Sequence, residues 1–151
     1  MIKDLFVDNN VAKNFKNPAD PEYLKLMGWL FKEGHLVITP KLMAEYSASN
    51  QGNFGQSIIT VINQLTIDGR LVRISTEEMK AVKFPKTIDK KCLKLNKDYW
   101  HLKAILLSNR KIAIIIDKAF RDAVNNHPKF DGIQAYAVAR PEEIDYENFT
   151  V

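Results

Sequence analysis

Two aspartates in this sequence each close a run of apolar residues: Asp8 follows Leu5-Phe6-Val7, and Asp117 follows Ile112-Ala113-Ile114-Ile115-Ile116. A carboxylate at the end of a buried segment loses hydration and needs a partner to offset that loss. One such residue reads as a cap for the next helix or turn. Two of them favour a shared site. Glu45 lies a few residues beyond Pro40 inside a helical pattern, and Asp98 opens another. A negative charge near a helix start also suits the macrodipole, so neither acid alone separates a ligand from a surface residue. Together, two strand-end and two helix-start carboxylates converge on one rim if the sheet between them is parallel.

Other chemistries find less support. One cysteine, Cys92, and three scattered histidines do not make a zinc site. No phosphate-binding Gly-rich loop, dinucleotide fingerprint or Gly-x-Ser-x-Gly elbow is present. His35 precedes a strand, His101 lies within a helix and His127 precedes Pro128. Each reads as a surface or core-edge residue rather than a catalyst.

The elements that must position the acids are legible in the pattern. Leu5-Phe6-Val7 predicts a buried first strand, with Asp8-Asn9-Asn10 as a polar turn. Asp20 caps a helix whose first residue is Pro21, carried by Tyr23, Leu26, Met27, Leu30 and Phe31 and ended by Gly34. Leu36-Val37-Ile38 is a second strand. Thr39-Pro40 opens a helix through Leu42, Met43 and Tyr46, and Asn50 to Asn53 predicts a loop or kink. Ile58, Ile59, Ile62 and Leu65 mark a helix closed by Asp68-Gly69, before a strand at Leu71 to Ile74 and a short helix start near Thr76. Asp98 to Arg110 is helical, Ile112 to Ile116 is a strand buried on both faces, Ala119 to Asn126 is a helix, and Gln134 to Ala139 is a last strand. This alternation predicts one α/β domain over residues 1–151, an open, mainly parallel five-stranded sheet with helices on both faces. In such sheets ligands bind beyond the carboxyl ends of the strands, where the strand order reverses.

With 151 residues, 46% hydrophobic and 26% charged, the chain has the composition of an ordinary globular protein. It has no apolar run of the ~20 residues that span a bilayer. Its start lacks the features of a secretory signal, and its single cysteine suits a reducing compartment, so a cytoplasmic protein without a membrane partner is predicted. The net charge is +4, and seven lysines (80, 83, 86, 90, 91, 94 and 97) face one acid, Asp89, between Lys80 and Lys97. That insertion reads equally as a solvated loop and as a phosphate-binding segment.

Leu5-Phe-Val-Asp8-Asn-Asn10-Val, Leu42-Met-Ala-Glu45-Tyr, Lys97-Asp98-Tyr-Trp-His-Leu-Lys-Ala104 and Ile114-Ile-Ile-Asp117-Lys-Ala-Phe120 resemble, in order and approximate spacing, the four acidic motifs of PIN domains. The resemblance covers nearly the whole chain. It implies a single α/β domain, an endoribonuclease dependent on Mg²⁺ or Mn²⁺, and metal ligands at Asp8, Glu45, Asp98 and Asp117. Asn10 matches the residue that supports the first aspartate. Hard cations with all-oxygen ligands relieve the repulsion among such acids. Asp8 and Asp117 are expected as direct ligands, with Glu45 and Asp98 binding a second ion, acting through water or orienting the nucleophile. Lys13, Lys16, Lys94, Lys97, Lys118 and Arg121 are candidates to offset the charge of an RNA substrate. Members of the toxin group imply an antitoxin-like protein partner and a homodimer. Many relatives carry a hydroxyl where this chain has Ile115, and another acid where it has Ala119. These differences motivate an alternative, a decayed site that binds nucleic acid or a protein without turnover. A weaker alternative is a receiver-like phospho-acceptor domain, suggested by Phe6-Val7-Asp8-Asn9-Asn10; no acid closes the third strand as that class requires.

Overall fold

The computed structural model describes residues 2–16, 19–49, 57–83, 98–126 and 133–147. Five strands run through them: β1 (Asp4–Val7), β2 (His35–Ile38), β3 (Leu71–Arg73), β4 (Ile112–Ile114) and β5 (Tyr136–Val138). The helices among these residues are α1 (Asn9–Ala12), α2 (Pro21–Lys32), α3 (Pro40–Ser49), α4 (Ile58–Asp68), α5 (Thr76–Ala81), α6 (Asp98–Leu107) and α7 (Lys118–Asn126). Every strand pairing is parallel, in the order β3-β2-β1-β4-β5. The open α/β sheet expected from the sequence is the fold observed.

The chain steps outward from β1 through β2 to β3, then returns to the other side of β1 for β4 and β5. The order therefore reverses between β1 and β4, where Phe6 is in register with Ala113 and Val7 with Ile114. Right-handed crossovers on either side of that reversal leave by opposite faces and open a crevice beyond the carboxyl ends. Receiver domains place β1 between β2 and β3. Here β1 lies between β2 and β4, which leaves the receiver-like reading without topological support.

Leu5, Phe6 and Val7 have no exposed surface. Successive strand side chains point to opposite faces, so both faces of the sheet are covered at its centre. Each such side chain contributes about 1.5–3 kcal/mol of burial. Local signals then set the helix ends. Asp20 accepts the Glu22 N–H at 3.0 Å with Pro21 at the first position of α2. Thr39 Oγ1 accepts the Leu42 N–H at 3.0 Å and starts α3. Ser75 and Glu78 form a reciprocal capping box on α5. Gly69, at φ 70°, closes α4 in the left-handed region that glycine enters without strain.

Several boundaries differ from expectation. Asp8-Asn9-Asn10 is not a turn; Asp8 is the N-cap of α1, which begins at Asn9. Gly34 does follow the Glu33 C-cap of α2, as expected, but outside the left-handed region; a Cβ there would lie 2.6 Å from the Trp29 ring. The requirement there is close packing. The β4 ladder ends at Ile114, and Ile116 is exposed. Finally, α6 ends at Leu107, so that the Asn109 and Arg110 N–H groups turn toward Asp4. Asn50 to Asn53 and the greater part of the Lys80 to Lys97 stretch lie outside the described residues. Among the described residues no helix is long and apolar enough to cross a membrane.

Candidate active site

Asp8 leaves β1 in extended conformation (φ −64°, ψ 151°) and begins α1. Its backbone is fixed: the N–H donates to the Ile114 carbonyl at 3.1 Å, and its own carbonyl accepts from Val11 and Ala12 at 2.9 and 3.0 Å. The preceding carbonyl, of Val7, accepts a hydrogen bond from the fully buried Tyr46 hydroxyl on α3. The Asp8 side chain caps neither N2 nor N3 of the helix and is only 7% exposed. Burial therefore raises its pKa to about 6; His101 and the Asn9 N–H oppose that rise, and the negative charges of Asp98 and Glu45 add to it.

Asp117 lies three residues beyond the end of β4, directly before α7. Its Oδ1 accepts the Phe120 N–H at 3.1 Å, so it caps α7 while its carboxylate remains exposed. It caps the helix and also lines a cleft. Glu45, on α3, places Oε2 2.6 Å from His101 Nε2 on α6. Asp98 occupies the first turn of α6. All four acids line one cleft of about 350 Å³, and Asn9, Asn10 and Lys13 share its wall. The structure thus brings together every acid singled out from the sequence.

Among the described residues, no three His, Cys, Asp or Glu side chains stand close enough to cage an ion as they are. The donor set is nevertheless all oxygen: four carboxylates and Asn9 Oδ1, a buried atom without a hydrogen-bond partner among the described residues. This composition fits Mg²⁺ or Mn²⁺, since Mg²⁺ in particular keeps several of its own waters and takes only one or two protein carboxylates.

The basic candidates divide. Lys13 is exposed on the cleft wall. Lys118 pairs with Asp122 one turn along α7, at 2.9 Å. Arg121 donates through Nη1 to the carbonyls of Ile115 and Ile116 at 3.0 and 2.8 Å, and so closes the end of the β4 segment. Lys94, Lys97 and the side chain of Lys16 lie outside the described residues. Asn10 is exposed on the cleft wall; it is Asn9 whose Nδ2 donates to Ser49 Oγ at 2.8 Å and ties α1 to α3.

His101 departs furthest from its sequence reading. It is 1% exposed, bonded to Glu45, and set between the rings of Phe6 and Phe120 at centroid distances of 5.4 and 6.3 Å. The available signal is its spacing: three residues beyond Asp98 on one helix, it shares the face of that acid. Comparison with protein-family models, curated proteins and solved structures finds no match to this chain.

Proposed function

We propose that the protein is a divalent-metal-dependent nuclease that hydrolyses phosphodiester bonds, with single-stranded RNA as its substrate. The observation that carries this reading is the convergence of Asp8, Glu45, Asp98 and Asp117, distant along the chain, on one cleft at the reversal of strand order. The choice of RNA rests on the PIN-like motifs.

Asp8 and Asp117 would hold the ion directly, because each precedes a helix beyond the carboxyl end of one of the two strands that flank the reversal. When bound, Mg²⁺ or Mn²⁺ polarises the phosphodiester and neutralises charge that builds on its oxygens. Glu45, bonded to His101, would help hold the ion and orient the attacking water. Asp98 adds negative charge beside Asp8 and so favours a cation in the cleft. Lys13 offsets the charge of a phosphate entering past the acids.

Incubation with end-labelled single-stranded RNA tests the proposal. Cleavage is expected with Mg²⁺ or Mn²⁺, none with a chelator, and none by a folded Asp8→Asn variant. Equal cleavage by wild type and Asp8→Asn would remove Asp8 from the site. The absence of a preformed three-ligand cluster among the described residues favours a second reading, a nucleic-acid-binding or partner-binding protein with a decayed site. Salt-sensitive RNA binding without turnover in either metal selects it.

A further inference from the structure

We infer that His101 is a positioning residue for the acidic cleft, fixing the Glu45 carboxylate and locking together the elements that carry the four acids. The inference rests on the metal-dependent reading above. His101 meets each of those elements. Its ring lies beside Phe6 on β1, two residues before Asp8. Its Nε2 is 2.6 Å from Glu45 on α3. It sits on α6 one turn after Asp98. On its other side is Phe120 of α7, whose N–H is held by Asp117.

Packing alone does not account for a histidine here. The ring is almost wholly buried among aromatic groups, and Nδ1 is buried with no hydrogen-bond partner among the described residues. Burying an unpaired ring nitrogen is unfavourable, and an apolar side chain would fill the space without that penalty. The compensating interaction is the short bond to Glu45. Side chains that hold a metal-site carboxylate in this way typically govern affinity by about ten- to a hundredfold.

Mn²⁺ uptake by the full chain, followed through loss of the free-ion electron paramagnetic resonance signal, provides the test. His101→Phe keeps a ring and removes the donor; His101→Gln places an amide nitrogen near the Nε2 position. His101→Phe is expected to weaken Mn²⁺ binding by about ten- to a hundredfold. His101→Gln is expected to recover most of it, while metal-free unfolding midpoints do not follow the same order. Should His101→Phe fail to fold, His101→Asn, with an amide one carbon shorter, takes its place and the same loss is expected. Mn²⁺ affinity in the donor-lacking variant equal to wild type overturns the inference, as does equal weakness in that variant and His101→Gln. Wild-type protein that takes up no Mn²⁺ overturns the metal reading and this inference with it, an outcome distinct from the other two because they require a wild-type site.

Discussion

Asp4 and Asp8 stand at opposite ends of β1, both withdrawn from solvent, and their carboxylates meet different surroundings. Asp4 Oδ2 accepts the Asn109 N–H and Asn109 Nδ2, each at 2.8 Å, and Oδ1 accepts the Arg110 N–H at 2.9 Å. Asp8, at the carboxyl end, faces other acids. Asp4 therefore fastens the α6–β4 turn to the start of β1, whereas Asp8 is a buried acid poorly compensated by the chain. Asp4→Ala strands three donors and should cost roughly 2–4 kcal/mol in urea unfolding while sparing the cleft. Asp8→Asn should abolish cleavage and leave stability at neutral pH unchanged or higher. A large loss of stability in Asp8→Asn alone would reverse the assignment of structural and functional roles.

The pH dependence of that second variant follows from the raised pKa of Asp8. The folded protein keeps the Asp8 proton up to about pH 6, whereas the unfolded chain releases it near 3.8. Below the unfolded value both states are protonated and the residue has no effect. Between the two values the unfolded state alone gains from ionisation, so stability falls as pH rises; above about 6 the loss is complete and constant. At about 1.4 kcal/mol per unit, the full effect is roughly 3 kcal/mol. Urea unfolding of wild type and Asp8→Asn from pH 4 to 8 should show the variant's advantage opening across this window and then levelling. Mg²⁺ at about a hundred times its Kd should return about 2.7 kcal/mol to wild type above pH 6 and little to the variant. A stability gap independent of pH would contradict the electrostatic origin.

The architecture was legible because its signals are local. Uninterrupted apolar runs gave the central strands, and Asp20-Pro21, Thr39-Pro40 and Asp68-Gly69 set helix limits through groups within three residues of each boundary. The acids Asp8 and Asp117 were legible for a related reason, since a charge at the end of an apolar run is anomalous within its own segment. Contacts between distant segments were not. His101 resembles a peripheral residue until β1, α3 and α7 enclose it. Asn9 and Asn10 are alike in sequence, and only the approach of Ser49 distinguishes their roles.

Tyr46 offers a test of how firmly the end of β1 is held. Its hydroxyl is fully buried and donates to the Val7 carbonyl, the last before Asp8. Tyr46→Phe leaves that carbonyl without this donor and keeps the ring, so about 1–3 kcal/mol of stability should be lost. The same change frees the peptide that orients Asp8. Turnover should therefore fall more than KM rises, because the chemistry depends on the carboxylate's position while substrate contacts on the cleft wall persist. A variant destabilised by this amount with full turnover would show that the Val7 carbonyl anchors the sheet only.

Lys13 and Lys118 separate charge in the cleft from charge beside it. Lys13 lines the acidic cleft and is exposed, whereas Lys118 is paired with Asp122 along α7. A phosphate approaching four carboxylates meets repulsion that a cation on the same wall offsets, and an exposed charge of this kind is worth up to about 1 kcal/mol. Lys13→Ala should raise the KM for single-stranded RNA by roughly two- to fivefold and leave kcat nearly unchanged. Each phosphate contact contributes about one to the slope of log affinity against log salt, so the Lys13 variant should lose about that much. Lys118→Ala should change neither quantity appreciably, since its amine already has a carboxylate. Equal effects of the two substitutions would mean that net charge alone attracts the substrate, and would take the binding path away from the Lys13 wall.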